Sequence, residues 1–193
     1  RLPSGLIADA ELDDAPHLRR LLGGVDTVVI DEVSMVSADL MDAIDRRLRS
    51  TRARPREPFG GAQVVLFGDP YQLAPVPGRD EGERAYYADH YRSIWFFDAR
   101  VWSEAELRIV ELQTIHRQRD EEFRHMLTAV RHGEVTPEIG RALNEAGARA
   151  APDDGVLTLA STNATVTRIN GRELSLLPGD VKTAKAEVVG EFG

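Results

Sequence analysis

Residues 27–36 read Thr-Val-Val-Ile-Asp-Glu-Val-Ser-Met-Val, and the rest of the chain is arranged around them. Val28, Val29 and Ile30 end abruptly in two adjacent carboxylates, Asp31 and Glu32. Three consecutive β-branched residues predict a strand buried on both faces, as in a parallel sheet. Ligands of such sheets sit in the crevice beyond the carboxyl ends of the strands, where Asp31 and Glu32 would stand. The pair suits phosphoryl transfer, in which one carboxylate holds Mg²⁺ and a neighbour orients or deprotonates the attacking water. The plainer alternative is that Asp31 starts a turn and Glu32 is solvated. An Asp-Glu dipeptide alone favours that alternative; the rest of the chain shifts the balance.

A second buried strand is expected over 63–67, running straight into Gly68-Asp69-Pro70-Tyr71-Gln72-Leu73-Ala74-Pro75-Val76. Two parallel strands ending in polar loops would line one crevice. Gly68 permits a sharp turn there, and Asp69 can tie it down through backbone amides. The Gln72 amide could touch a terminal phosphate or its water. Arg117, distant in sequence, could reach the same phosphate from a second domain and stabilise charge in the transition state.

The other segments alternate helix and strand, which argues an α/β parallel-sheet architecture. Residues 1–13 look irregular, and 16–22 make a short helix stopped by Gly23-Gly24. Ser37 is a plausible N-cap for a helix over 38–49 that buries Leu40, Met41, Ile44 and Leu48. The loop 51–61 carries Arg52, Arg54 and Arg56, and a solvated linker is the preferred reading over a phosphate-contacting loop. Residues 78–92 read as a mobile polar insertion, and Trp95, Phe96, Phe97 and Trp102 as core packing rather than base stacking. A strand is expected over 107–112, helices over 119–132 and 137–146, and a linker over 150–155. A strand over 156–160 and a helix carrying Val166, Ile169 and Leu174 complete the reading.

The 193 residues could form one domain or parts of two. A hydrophobic fraction of 42% excludes wholesale disorder. No apolar stretch approaches a membrane span and no signal peptide is visible. The chain has no cysteine, hence no disulfide or thiolate metal site, which fits a cytoplasmic protein. A net charge of −8 argues against a surface that is basic throughout, but leaves room for a local basic groove. Of 24 basic residues only Lys182 and Lys185 are lysines, a bias that suits a GC-rich, bacterial genome. The chain starts at Arg1 and stops at Gly193 without a terminal element, so it reads as a piece of something longer.

The order of motifs resembles superfamily-one DNA helicases of the RecD/Pif-type branch. Val28 to Val36 resembles motif II, the Walker B element, and Val64 to Val76 resembles motif III. Glu-Leu-Gln-Thr-Ile-His-Arg-Gln-Arg-Asp-Glu-Glu-Phe, with the later Val-Arg-His-Gly-Glu, resembles motif IV and the helix after it. Ser-Thr-Asn-Ala-Thr-Val-Thr-Arg-Ile-Asn-Gly-Arg-Glu-Leu looks like the opening of a second RecA-like domain. The resemblance implies a RecA-like P-loop NTPase fold, with residues 1–113 the latter part of a first domain and 114–193 the start of a second. It implies that Asp31 holds the Mg²⁺ of Mg-ATP, Glu32 activates the hydrolytic water, Gln72 contacts the γ-phosphate, and Arg117 is an arginine finger. Thr162 and Asn163 match a position facing the DNA backbone, with an N-cap pair as the equal alternative. His116 is expected to pack or cap rather than catalyse. Single-stranded DNA and duplex/single-strand junctions are the implied partners of a 5′→3′ motor, with no membrane partner, a monomeric state and a nucleoid location.

No Gly-x-x-x-x-Gly-Lys-[Ser/Thr] occurs in the chain, and no lysine precedes Lys182. The phosphate-cradling loop that such enzymes need is therefore missing from this sequence. Alone, the chain is expected to hydrolyse no ATP and to bind nucleotide poorly. Two rivals stand beside the helicase reading: a non-catalytic helicase-like scaffold, and a DNA-independent P-loop ATPase.

Overall fold

In the computed structural model the described residues are 16–76, 81–149, 157–179, 182 and 184. The irregular start over 1–13 and the linker over 150–155 lie outside them, as do residues 78–80 of the expected insertion and Val156. The chain divides into two compact units, Arg1–Glu134 and Val135–Gly193.

In the first unit α1 (Pro16–Gly24) precedes β1 (Thr27–Ile30), α2 (Ala38–Thr51) and β2 (Gln63–Leu66). The two strands pair in parallel, with Thr27 opposite Gln63 and Ile30 opposite Leu66. This is the β-α-β unit that the alternating pattern predicts. Burial differs from the expectation. Val28, Ile30, Val64 and Leu66 pack on the core, whereas Val29 is 60% exposed. Successive strand side chains point to opposite faces, and among the described residues only one face is covered.

Helix α2 is the hub of this unit. Its apolar stripe buries Met41 and Leu48 against Phe59, Phe96 and Val101. Ile44 is half-buried and Leu40 lies at the rim, 36% exposed, because the neighbouring face is taken by three buried aspartates. Asp39 accepts hydrogen bonds from the Ser37 and Tyr87 hydroxyls. Asp42 accepts from the Tyr91 hydroxyl at 2.9 Å and the Val101 amide at 3.1 Å. Asp45 accepts from the Phe59 amide at 2.6 Å and pairs with Arg49. Ser37 stands at the N-cap position but makes no capping bond.

These carboxylates explain the segments around them. Residues 81–90 form helix α3 rather than a mobile insertion. Tyr87 and Tyr91, one turn apart, reach down to Asp39 and Asp42. Burial, then the Asp39 carboxylate, pushes the Tyr87 phenol above its usual range, so it remains a donor. The arginine loop is folded back rather than solvated throughout. Arg52 donates to the Gly60 carbonyl at 2.8 Å and to the Val25 carbonyl, and Arg54 pairs with Glu57 at 3.2 Å. Of the aromatic cluster, Phe96 packs in the core as expected, its ring 5.3 Å from the half-buried Trp102 and 5.2 Å from Phe97, which is itself exposed.

Beyond α4 (Arg100–Glu104) the chain runs without regular structure to α5 (Glu121–His132). The strand expected over 107–112 is absent: Ile109, Val110 and Leu112 are 79%, 68% and 87% exposed and no strand among the described residues pairs with them. An alternating pattern fixes side-chain direction, but a strand exists only with a ladder partner. Helix α5 begins at the Asp120 cap, which accepts from the Phe123 amide at 2.9 Å, and ends at Gly133 with φ 73°.

The second unit holds α6 (Pro137–Gly147), capped by Thr136, and α7 (Asn163–Leu176), capped by Thr162. The strand expected over 156–160 is likewise absent over residues 157–160, where Leu157 and Leu159 are 84% and 89% exposed.

Candidate active site

The carboxyl ends of β1 and β2 are tied together by their backbones. The Phe67 amide donates to the Ile30 carbonyl, and the Val33 amide to the Phe67 carbonyl, each at 2.9 Å. Between those bonds the chain turns outward at Asp31 and Glu32, both exposed. Glu32 adopts φ 51° and ψ 44°, a left-handed conformation that a glutamate takes only at a cost. Its amide donates to Asp31 Oδ1 at 2.9 Å, which leaves Asp31 Oδ2 open. The Glu32 carboxylate makes no hydrogen bond or ion pair among the described residues.

Gly68 carries the second loop across this turn. A Cβ there would lie 2.9 Å from the Val33 nitrogen and 3.3 Å from the Ser34 nitrogen. Its φ is not positive. Space for the neighbouring backbone, rather than the sharp turn the sequence suggests, is what requires glycine.

Asp69 then fastens the reversal that presents Gln72. Its Oδ1 accepts from the Tyr71 amide at 3.0 Å and its carbonyl from the Gln72 amide at 2.9 Å. Its other oxygen pairs with Arg131 of α5. Burial pushes the Asp69 carboxyl up, but the Tyr71 amide, the Arg131 guanidinium and the Gln72 side chain outweigh it and hold the group below the usual carboxylate range. The Arg131 guanidinium carbon also lies 4.6 Å from the centre of the Tyr71 ring, whose edge meets His132 at 6.2 Å.

The structure thus brings Asp31, Glu32 and the loop bearing Gln72 to one sheet edge. Arg117 is exposed on the irregular segment before α5 and forms no hydrogen bond or ion pair among the described residues. His116 is exposed and caps no helix, against expectation. Thr162 caps α7, its hydroxyl accepting from the Thr165 amide at 3.3 Å, with Asn163 the first helical residue.

Among the described residues no three His, Asp or Glu side chains gather as a closed metal cage. An open carboxylate oxygen on Asp31 beside an unpartnered Glu32 nevertheless fits Mg²⁺, which is bound through one or two carboxylates plus waters and substrate phosphates.

Residues 6–140 match the PIF1-like helicase family. The chain belongs to that family. Among PIF1-like relatives, the ATP-dependent DNA helicase PIF1 of Saccharomyces cerevisiae (strain YJM789) is 36% identical over 168 residues, 86% of this chain and 18% of that protein. The human ATP-dependent DNA helicase PIF1 is 32% identical over 177 residues, 91% of this chain and 26% of that protein. The Pif1 helicase from Bacteroides in complex with ADP-AlF3 and ssDNA superimposes with a TM-score of 0.77 at 33% identity, over 91% of this chain and 41% of that one. The Candida albicans Pif1 helicase gives 0.69 at 27% identity, over 85% and 35%. The fold is therefore the α/β parallel-sheet RecA-like fold of these PIF1-like proteins. The chain spans roughly a fifth to a quarter of the length of the curated relatives it matches.

One member of this PIF1-like site escaped the sequence reading. Arg131 sits in the last turn of a helix, where a basic residue is ordinarily explained by the helix dipole. Only the folded chain shows that it reaches Asp69.

Proposed function

We propose that this chain supplies the Walker B, motif III and motif IV parts of an ATP-driven DNA helicase that moves along single-stranded DNA and opens duplex/single-strand junctions. The observation that carries the proposal is Glu32. It stands exposed and unpartnered beside a half-open Asp31 at the carboxyl end of β1, where parallel sheets bind ligands. Its left-handed backbone is shared with Ala53, Phe59 and Glu106 and is not by itself a catalytic mark. Asp31 would hold the Mg²⁺ of Mg-ATP, and that ion would neutralise charge on the phosphates. Glu32 accepts the proton of the attacking water. The side-chain amide of Gln72, held by Asp69, faces the γ-phosphate. Arg117, with no partner to release, stabilises charge on that phosphate from the motif IV segment. Thr162 and Asn163 face the DNA backbone at the exposed start of α7.

Support comes from the family, from a Bacteroides Pif1 solved in complex with ADP-AlF3 and ssDNA, and from a structure described as the basis for DNA unwinding at forked dsDNA by two coordinating Pif1 helicases. We retain residues 114–193 as the start of a second RecA-like domain, because motif IV opens it by sequence order. We also retain a monomeric working unit in a bacterial cytoplasm. Among the described residues no helix is long and apolar enough to cross a membrane.

The test is ATP turnover by the full-length polypeptide, with and without single-stranded DNA, beside Glu32→Gln. Turnover that rises with DNA and falls by roughly 10²-fold or more in the variant is expected, the loss typical of a missing general base. Turnover indifferent to DNA would favour a DNA-independent ATPase, and none from a folded parent would favour a scaffold.

A further inference from the structure

Resting on that function, we propose that Arg131 is a positioning residue, a clamp that fixes the Gln72-bearing loop from the far end of helix α5. Three contacts converge on residues 69–72 from two consecutive positions of one helix. Arg131 forms the ion pair with Asp69 and places its guanidinium over the Tyr71 ring, and His132 meets the edge of the same ring. Asp69 is in turn the residue whose carboxylate bonds the Tyr71 amide and whose carbonyl accepts from the Gln72 amide. A force on the guanidinium is therefore passed to Gln72 through one residue, whose carboxylate holds Tyr71 and whose carbonyl holds the Gln72 amide. Other holds on the loop are few: it belongs to no strand or helix, and Tyr71 and Leu73 are 63% and 72% exposed.

Arginine suits this position and lysine does not. The planar guanidinium bonds a carboxylate and stacks on an aromatic face together, whereas an ammonium is a point charge that makes the ion pair and stacks poorly. Helix α5, which follows motif IV, lies in the same compact unit as this loop. Any movement of α5 reaches Gln72 by way of Arg131. The clamp would thus connect the segment carrying Arg117 with the loop facing the γ-phosphate.

The experiment has two readouts on the full-length protein. The first is amide hydrogen exchange of residues 68–73 without nucleotide, in wild type, Arg131→Ala, Arg131→Lys and Tyr71→Phe. A half-exposed ion pair and one cation–π contact predict roughly three- to tenfold faster exchange in Arg131→Ala. Residues 38–48 of α2 should be unchanged. Tyr71→Phe, which keeps the ring, should match wild type, and Arg131→Lys should lie between. The second readout is DNA-stimulated ATP turnover, where Arg131→Ala should lower kcat several-fold with KM for ATP moving less, and lysine should restore part of it. Unchanged exchange in Arg131→Ala overturns the clamp. Faster exchange with unchanged kcat overturns its positioning role. A wild-type parent without turnover instead removes the helicase function beneath the proposal, while the exchange data still decide whether the clamp exists.

Discussion

Glu32 shows what a single residue gives up for its place. A left-handed backbone costs a non-glycine residue about 1 kcal/mol or more. At ordinary helix or strand positions alanine is more stable than glycine by about 0.5–1 kcal/mol. At position 32 the order should invert: Glu32→Gly should be more stable than Glu32→Ala by about 1 kcal/mol in urea unfolding, and both should lose hydrolysis in the parent. An alanine variant that is the more stable one would mean that the backbone at 32 is not held left-handed. Asp69 makes a second prediction, through pH. Its carboxyl is held below the usual range by the Tyr71 amide, the Arg131 guanidinium and the Gln72 side chain, against burial. A depressed folded pKa gives stability that is present above the unfolded value of about 4 and lost as pH falls through the folded value. Unfolding followed from pH 6 down to pH 3 should therefore show wild type losing its advantage over Asp69→Asn only below about pH 4. A constant difference across that range would remove the charge from the account. That Asp31, Glu32 and the loop bearing Gln72 share one sheet edge was legible in the sequence, because two apolar runs each ending in a polar loop predict it. Arg131 was not, because its meaning lies in a contact across 62 residues.

At the scale of elements, α2 carries more than an amphipathic stripe. Its three aspartates recur every three residues on one side, and each satisfies a donor on a different neighbouring segment. Removing such an acceptor strands its donors, at about 1–3 kcal/mol for each buried group left unpaired. Asp42→Ala abandons both the Tyr91 hydroxyl and the Val101 amide. It should therefore destabilise by about 2–4 kcal/mol, whereas Tyr91→Phe, which removes one donor, should cost about 1 kcal/mol. Equal losses in thermal unfolding would mean that the Val101 amide finds another partner. Periodicity located α2 and α5 within a few residues because their burial patterns are local. It could not show that Asp39, Asp42 and Asp45 face inward, since charges on a helix are ordinarily solvated. It therefore missed α3, where Tyr87, and Tyr91 just past the helix end, are drawn in by those charges. The strands expected over 107–112 and, among the described residues, over 157–160 failed for the opposite reason. Their alternation was genuine, but a ladder needs a second strand, which a local pattern does not contain.

For the whole molecule, the order of motifs was readable while the division into compact units was not. Motif order suggested a boundary at 113/114, whereas the compact units divide at 134/135, with α5 and its contacts to the loop over 69–72 inside the first. Ancestry and compactness need not coincide when a helix from one segment is anchored on the other. Nucleotide affinity is the property that belongs to the molecule as a whole. In P-loop proteins most phosphate contacts come from the backbone amides and lysine of the Gly-x-x-x-x-Gly-Lys-[Ser/Thr] loop, and this sequence contains none. On the proposed function it offers instead two carboxylates, an amide and one arginine, in a chain of net charge −8 that repels ATP at long range. The 193-residue chain alone should therefore bind Mg-ATP at roughly 1 mM or weaker, about −4 kcal/mol, and the full-length polypeptide at least 100-fold more tightly. Titration calorimetry of both, at one salt concentration, checks this. Equal affinity would place the main phosphate contacts within this chain and would require a cradle other than the missing loop. A chain that binds weakly and hydrolyses no ATP is what the proposed function expects, since Asp31, Glu32, Gln72 and Arg117 would then act only beside a loop that holds the phosphates.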